Sequence, residues 1–515
     1  MLIAMLRSFL AVFLLGCAAV SPALAQQRPV VQTSAGEVRG VRDNGISAFR
    51  GIPYAAAPVG ALRWRPPAAP AAWSGVREAA EYGDVCPQPQ GVGQYQLQQR
   101  PMSEDCLSVN VFSPNTSANA GLPVMVWIHG GAFRIGAGGV PLYDGSALAR
   151  RGVVVVTMNY RLGLLGIFDH ADLETEQAGQ PRSNYALMDQ TAALEWVRDN
   201  IARFGGDPAR VTLFGESAGG VSVMLHMMSE RSNGLFHQAI IQSGGGWTRS
   251  PDRASALALG ARVSETLGAP DMAALRAVSS ERLVEVLGQL TPPLGYTPIV
   301  DGDLVRETIP DAFAAGRFRS MPMLVGANTY EQNLIAGESA APARRAMVAL
   351  APADQLAALR ALYGAETPDD DALGGALFRD GGFVGPARWV AQRNQASSFV
   401  YRYAHIRVAQ RGEVPGAGHG AEVPYVFDSL AAISPAARLL WRGQDRRMAR
   451  VLGDCWVSFA KDGVPSCGAD WRPISDAPQQ VMIFDDGAAA FADDPWASRL
   501  DIHEALFRAR ARVAN

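Results

Sequence analysis

The chain contains a single lysine, Lys461, among 46 basic residues, and nowhere do its basic residues form a long run. Its formal net charge at neutral pH is -3. It therefore lacks the positive field that attracts a phosphate backbone, and nucleic acid is excluded as an expected partner. Arginine in place of lysine indicates the coding bias of a GC-rich genome, which is typical of bacteria.

Long apolar runs are absent beyond the N-terminus, so we expect no transmembrane segment, which needs about 20 apolar residues. The N-terminus has an arginine, an apolar stretch and a small-residue ending. This pattern predicts a signal peptide over residues 1–25, cleaved between Ala25 and Gln26, and a secreted or periplasmic protein. A lipid anchor on Cys17 is the alternative. It is less favoured, because Leu15 is a poor residue for a lipoprotein signal.

Cysteine is scarce: five are present, of which four follow the signal peptide. These are Cys86, Cys106, Cys455 and Cys467. Four cysteines allow three pairings, and an exported chain can oxidise them. The local pairs 86–106 and 455–467 close short loops and are favoured, with four reduced buried thiols as the alternative. No cluster has metal-ligand spacing and no nucleotide-binding loop follows a strand, so neither a metal nor a cofactor is predicted.

The remaining composition, 48% hydrophobic and 18% charged, is that of a folded protein. Strand-like segments such as 153–159 alternate with segments of helical period such as 185–204. This alternation predicts an α/β fold with a mostly parallel twisted sheet and helices on both faces. Helical spacing around 250–320 and 335–395 predicts helical insertions that cap the sheet. No linker separates two cores, so residues 26–515 are predicted to form a single domain.

Ser217 lies at the centre of Gly-Glu-Ser-Ala-Gly, between a strand-like segment, VTLFG, and a helical one, AGGVSVMLHMM. A serine hydroxyl is a weak nucleophile unless it is held exposed beside a base. A tight strand-to-helix turn holds it in this way, and glycines are needed two residues to either side. The helix N-terminus also offers free N–H groups to an anion. We therefore predict that Ser217 is a nucleophile.

A second glycine-rich turn, His-Gly-Gly-Ala-Phe at 129–133, directly follows the strand-like PVMVWI. Backbone N–H groups at such a turn can approach a tetrahedral oxyanion closely, and each donor contributes about 3 kcal/mol to the transition state. Alone, the motif indicates only a turn. With Ser217 downstream, it predicts an oxyanion hole.

The base should follow the nucleophile, since a serine triad in this type of sheet runs Ser, acid, His along the chain. His226 and His237 follow the serine too closely. His405 ends a strand-like segment, and His503 lies in the C-terminal tail, where a solvated histidine is expected. His419 occupies the glycine-rich loop GAGHGAE, which can deliver an imidazole without obstruction. We therefore predict His419 as the base.

The acid candidate is Glu331, which comes just after the strand-like MPMLVGA. Active sites of open α/β sheets gather at the carboxyl ends of strands. Asp301 and Asp303 are rivals, but their Asp-Gly-Asp setting is typical of a β-turn. Glu422 follows the histidine and is interpreted as a residue that fixes the loop.

Longer blocks resemble the type-B carboxylesterase and cholinesterase family from about Val30 to the C-terminal helices. FGGDPARVTLFGESAGG at 204–220 matches its serine signature, and EDCLSVNVFSP at 104–114 matches its second signature except at Ser108. VGANTYEQ and HGAEVPYVF follow in the expected order. The resemblance implies an α/β-hydrolase fold. It also implies hydrolysis of small-molecule carboxylic esters through an acyl-enzyme.

The same resemblance implies site residues by position. They are a triad of Ser217, Glu331 and His419, oxyanion donors at Gly131, Ala132 and Ala218, and a disulfide from Cys86 to Cys106. Two departures are Ala132 in place of a common glycine and Gln332 after the acid.

Two other functions stay open at this stage. One is a catalytically silent binding protein of the same fold, and the other is an amidase or peptidase. A monomer and a homodimer fit equally well. Substrate identity is not readable, since residues such as Phe133, Leu294, Tyr296, Phe383 and Tyr425 fit a core as well as a pocket wall.

Overall fold

The computed structural model describes residues 28–89, 100–292, 294–430 and 441–513. The predicted signal peptide and Cys17 lie outside these residues. The strands of the described chain are β1 (Val30–Gln32), β2 (Glu37–Arg39), β3 (Val41–Asp43), β4 (Ile46–Pro53), β5 (Val76–Glu78), β6 (Ser108–Ser113), β7 (Leu122–Ile128), β8 (Val154–Met158), β9 (Gly206–Glu216), β10 (Gln238–Gln242), β11 (Met323–Asn328), β12 (Ser398–Tyr403), β13 (Gln480–Asp485) and β14 (Ala488–Asp493).

Eleven of these strands form one sheet in the order β14-β13-β12-β11-β10-β9-β7-β8-β6-β4-β3. The stretch from β13 to β8 pairs in parallel throughout, and the outer pairs on both sides are antiparallel. Strands β1, β2 and β5 form a separate small sheet. The predicted mostly parallel sheet is confirmed. Its central strand β9 leads directly to Ser217.

The α-helices of the described residues all come after β7 and connect or follow the later strands. They are Ser146–Ala149, Gly163–Gly166, Ala171–Glu176, Tyr185–Asn200, Ala218–Met228, Arg253–Leu267, Met272–Ala277, Ser280–Leu290, Ile309–Ala314, Ala341–Ala349, Ala353–Tyr363, Asp370–Arg379, Gly385–Arg393, Val423–Val426, Gly443–Asp462 and Ala497–Val513. A π-helical segment, Asp380–Val384, joins two of them. The single-domain division of the chain stays a prediction.

The core lies on both faces of the sheet. Along β7, Val126 packs with the helix Ala218–Met228 on one face, and its neighbour Trp127 packs with the helix Gly443–Asp462 on the other. Successive strand side chains point to opposite faces, so a strand covered on both faces is apolar throughout. This explains the uninterrupted apolar segments in the sequence.

Both favoured cysteine pairs are bonded, Cys86 to Cys106 and Cys455 to Cys467. The first closes a loop of sequence separation 20. Within that loop, the Gln88 side chain donates to the carbonyl of Gly136 at 2.9 Å and accepts from its N–H at 2.8 Å. The disulfide therefore fixes a segment that supports the turn after residue 131.

No helix in the described part of the chain is long and apolar enough to cross a bilayer.

Candidate active site

Ser217 lies at a strained turn between β9 and the helix Ala218–Met228. Its φ is 56° and its ψ is -121°, a conformation that non-glycine residues rarely adopt. The two flanking glycines are required by close packing. A Cβ on Gly215 would lie 2.5 Å from the carbonyl carbon of Gly219, and a Cβ on Gly219 would lie 2.0 Å from the oxygen of Ile128. The turn therefore holds the hydroxyl clear of the sheet, as the motif predicts.

The glycine-rich turn after β7 lies beside this serine, since β7 and β9 are neighbours in the sheet. Gly131 and Ala132 both have positive φ, at 106° and 54°. A Cβ on Gly131 would lie 2.1 Å from the oxygen of Ile135, so only glycine fits there. Ala132 and Ala218 line the same cavity as Ser217. The N–H groups of Gly131, Ala132 and Ala218 donate to no acceptor within the described residues.

Glu331 and His419 are in direct contact, with Oε2 of the carboxylate 2.5 Å from Nδ1 of the imidazole. Glu331 is fully buried. Its other oxygen accepts hydrogen bonds from the Ser243 hydroxyl at 2.6 Å and from the backbone N–H of Asn328 at 2.7 Å. These donors fix the direction of the carboxylate. The carboxylate in turn orients the histidine so that Nε2 points away from it.

Nε2 of His419 lies 3.0 Å from Oε1 of Glu216, the residue immediately before Ser217. This approach lacks hydrogen-bond geometry, and Nε2 has no hydrogen-bond partner among the described residues. The structure thus brings Glu331 and His419 together and puts the imidazole beside the serine turn. It forms no hydrogen bond between the imidazole and the Ser217 hydroxyl. Such bonds are often long or absent in free enzymes and form with substrate.

Three buried glutamates lie near this histidine, and two of them, Glu216 and Glu331, are in contact with it. Burial raises the pKa of Glu216 to about 8, and the charges of Glu422 and Glu331 act in the same direction while His419 opposes them. Burial opposes charge on His419, but the carboxylates of Glu216 and Glu331 outweigh it and raise the pKa of the imidazole to about 9. The imidazole of His419 therefore stays protonated up to a higher pH than an imidazole exposed to water.

Glu422 acts at a distance from the imidazole, in agreement with its interpretation as a loop-fixing residue. Its two oxygens accept hydrogen bonds from the side-chain amides of Gln242, at 2.9 Å, and Asn328, at 2.6 Å. The Asn328 amide also donates to the carbonyl of Gly418, next to the histidine. The carbonyl of Gln242 accepts from the N–H of Ser217 at 2.8 Å. One buried carboxylate therefore connects the supports of all three predicted triad residues.

The rival histidines lie in other settings. His226 contacts Ser232 and Gln190, and His405 contacts Asp445. The expectation that His503 is solvated was wrong. It is 5% exposed, since the helix Ala497–Val513 packs onto the fold and brings it within 2.8 Å of the Tyr363 hydroxyl.

The rival acids are also accounted for. Asp301 accepts the N–H groups of Asp303 and Val305, as expected for a turn. Asp303 pairs with Arg231 at the surface.

A cavity of about 180 Å³ opens onto Ser217. The sequence left five side chains as either core or pocket residues. Four of them line this cavity, namely Phe133, Leu294, Tyr296 and Phe383. The fifth, Tyr425, is buried on the other face of the sheet and donates to Asp445. The ring of Phe383 also packs 5.2 Å from that of His419. The cavity is therefore mostly apolar with the serine in its wall.

Sequence reasoning missed Ser243, Gln242 and Asn333, which support the site. Ser243 bonds Glu331, and the Asn333 side chain accepts from the N–H of His419 at 2.8 Å. One signal was available: Ser243 directly follows β10, which pairs with β9, the strand that leads to Ser217. The contacts themselves join residues about 90 positions apart, which no local pattern reveals.

Comparison with known proteins identifies the family. The model of the carboxylesterase family matches residues 27–502. The chain belongs to the carboxylesterase family. It is 38% identical to the fumonisin B1 esterase of Sphingopyxis macrogoltabida over 507 residues, covering 92% of this chain and 89% of that protein. It is 35% identical to the para-nitrobenzyl esterase of Bacillus subtilis (strain 168), covering 88% and 94%.

Solved carboxylesterase structures have the same fold. A carboxylesterase of Geobacillus stearothermophilus superposes with a TM-score of 0.80 at 32% identity, covering 93% of this chain and all of that one. A para-nitrobenzyl esterase superposes with a TM-score of 0.79, at the same identity. The predicted α/β-hydrolase fold is confirmed, and this carboxylesterase is a serine carboxylic ester hydrolase. Neither the silent binding protein nor the amidase is favoured.

Proposed function

We propose that the carboxylesterase hydrolyses its ester through an acyl-enzyme on Ser217. The serine oxygen attacks the ester carbonyl while Nε2 of His419 takes its proton. The tetrahedral intermediate then expels the alcohol, which receives that proton from the imidazole. Water, deprotonated by the same nitrogen, attacks the acyl-enzyme and releases the acid, and the proton returns to the serine.

Glu331 keeps the imidazole in the orientation and tautomer that this transfer needs, with Nδ1–H directed at the carboxylate. The N–H groups of Gly131, Ala132 and Ala218 receive the oxyanion. No step requires a metal or a cofactor. The contact between buried Glu331 and His419, beside a serine on a strained turn, is the observation that carries this proposal.

A burst experiment tests the acyl-enzyme. We expect wild-type protein mixed with p-nitrophenyl acetate to release nitrophenol in a rapid phase equal to the enzyme concentration, followed by slower turnover. Mass spectrometry of the quenched reaction should find one acetyl group on the peptide that contains Ser217. Acetyl groups on other residues, or on none, during turnover would contradict the proposal.

The pH dependence follows from the raised pKa of His419. A protonated imidazole cannot accept the serine proton, so kcat/KM should rise with pH and reach half of its maximum near pH 9 rather than near the ordinary imidazole pKa of about 6.5. In Glu216→Gln, one of the carboxylates that favour the imidazolium is gone. We therefore expect the midpoint of the profile to move to lower pH. The measurement is kcat/KM for p-nitrophenyl acetate from pH 6 to 10, corrected for spontaneous hydrolysis.

Glu265→Gln is the matched control for this profile, because Glu265 is exposed on the helix Arg253–Leu267, where solvent screens its charge. Its midpoint should equal that of wild type. A Glu216→Gln profile that also coincides with wild type would show that this carboxylate does not set the charge on the imidazole.

We propose, finally, that the protein is exported by its signal peptide and works outside the cytoplasm as a monomer or homodimer. The leader sequence supports export, and two disulfides fit an oxidising compartment. Lipid attachment at Cys17 stays the less favoured alternative.

A further inference from the structure

A histidine and two aspartates outside the predicted triad meet at one edge of the sheet. His405 comes just after β12, Asp485 ends β13, and Asp486 begins the turn to β14. Since β12 and β13 pair in parallel, their carboxyl ends lie at the same edge. A ring nitrogen of His405 and one carboxylate oxygen of each aspartate lie within 4.8 Å of one another. The histidine and the aspartates are far apart in the sequence, which explains why no metal-ligand spacing is visible there.

The imidazole of His405 is held in one tautomer by Asp445. Its Nε2 lies 3.0 Å from Oδ1 of Asp445, and both side chains are fully buried. The same carboxylate accepts hydrogen bonds from the N–H of Arg442 at 2.9 Å and from the Tyr425 hydroxyl at 3.1 Å, so its position is fixed. An ionised carboxylate only accepts hydrogen bonds. In the neutral imidazole the proton therefore lies on Nε2, and Nδ1 carries the lone pair.

The lone pair on Nδ1 of His405 has no hydrogen-bond donor. The atom is buried, and it makes no hydrogen bond within the part of the chain that the structure describes. Buried polar atoms are nearly always paired, so an unpaired one indicates a missing ion or water. Metal-bound histidines typically donate their other ring N–H to a carboxylate, which fixes the ring and makes the ligand nitrogen more basic. Asp445 gives His405 this arrangement.

The two aspartates add accessible negative charge. Both are exposed at the hairpin turn, so an ion in solution can reach them. Oδ1 of Asp485 accepts the N–H of Asp486 at 2.8 Å, and Oδ1 of Asp486 pairs with Arg411 at 2.6 Å. Each carboxylate also has a second oxygen, Oδ2, that can bind a cation. Together with Asp445, the aspartates outnumber the Arg411 guanidinium, which favours a cation at this position.

We propose that Nδ1 of His405 and the carboxylates of Asp485 and Asp486 form a binding site for a divalent transition-metal ion, best matched by Zn²⁺. Imidazole and carboxylate are both zinc ligands, whereas Ca²⁺ and Mg²⁺ prefer oxygen ligands alone. Bonds of about 2.1 Å around a tetrahedral zinc ion put its ligand atoms about 3.4 Å apart. The exposed aspartates reach this spacing by side-chain rotation, and the fourth position takes water. The ion joins the end of β12 to the β13–β14 hairpin.

Zinc titration of the folded protein, freed of metal with EDTA and carrying no affinity tag, tests this site. We expect isothermal titration calorimetry to find one Zn²⁺ per chain in wild type and an affinity at least about tenfold weaker in Asp485→Asn. His405→Gln should weaken binding at least as much, since its amide can still donate to Asp445 but offers no imidazole nitrogen. Zn²⁺ should also raise the Tm of wild type and not that of Asp485→Asn, because an ion that binds the native state stabilises it.

Asp493→Asn is the matched control. Asp493 is exposed at the other end of the same hairpin, where it accepts a hydrogen bond from the Gln480 side chain at 3.1 Å. Its affinity for Zn²⁺ should equal that of wild type. Wild type that binds no Zn²⁺, or folded Asp485→Asn and His405→Gln proteins that bind it as tightly as wild type, would overturn the inference. Neither result bears on the proposed function, because ester hydrolysis is not measured.

Discussion

Replacing Ser217 with alanine is expected to lower kcat by about a millionfold, the size of loss that follows removal of a triad serine. The variant has no oxygen to attack the ester, and only the oxyanion donors and substrate binding remain. Alanine keeps the Cβ and faces the same positive φ of 56°, so the turn should form as in wild type. The measurement is hydrolysis of p-nitrophenyl acetate together with labelling by a fluorophosphonate.

Ser222→Ala provides the control for that variant. Ser222 lies on the same helix, is fully buried and donates its hydroxyl to the carbonyl of Ala218 at 3.0 Å. It should keep most of its activity and be labelled at Ser217. A folded Ser217→Ala protein that retained more than about a hundredth of wild-type kcat would refute the nucleophile assignment.

Glu331→Gln should lower kcat by about ten thousandfold, as expected when a triad acid becomes a neutral amide of the same shape. The amide no longer stabilises the imidazolium that forms during proton transfer. It also leaves the tautomer with Nδ1–H without its anionic partner. The measurement is kcat at the pH optimum, with thermal unfolding followed by circular dichroism to verify the fold.

Two further variants distinguish the residue that orients the imidazole from the residues that support it. Ser243→Ala removes one hydrogen bond to Glu331 and should cost about tenfold, because a bond to a charged group contributes about 1.5–3 kcal/mol. Glu422→Gln should cost far less than Glu331→Gln, since Glu422 bonds amides and not the imidazole. If Glu422→Gln gave the larger loss, the acid assignment would move to Glu422.

Much of the fold was predictable because the relevant signals are local. A strand buried on both faces is apolar throughout, as β8 is, and a strand-to-helix turn needs glycines at fixed positions around Ser217. The C-terminal part of the fold was harder to predict. The helix Ala497–Val513 packs its apolar side chains against residues far away in the sequence. This packing buries His503, for which the sequence predicted a solvent-exposed position.

The candidate site was predictable at the residues that we propose to react and not at the residues that support them. Ser217 and His419 lie in glycine-rich motifs that the chemistry requires. Ser243 and Asn333 act through single hydrogen bonds across the sheet, and these depend on which strands become neighbours.

The loop closed by Cys86 and Cys106 contacts the glycine-rich turn beside Ser217. Its Gln88 holds both polar groups of Gly136, five residues after Gly131 in the turn that offers the oxyanion donors. Chains whose cysteines are kept reduced are therefore expected to differ from oxidised chains in turnover as well as in stability. The compartment in which the protein is expressed should therefore affect its measured activity. Protein assayed with its cysteines reduced should show a lower turnover than the oxidised enzyme.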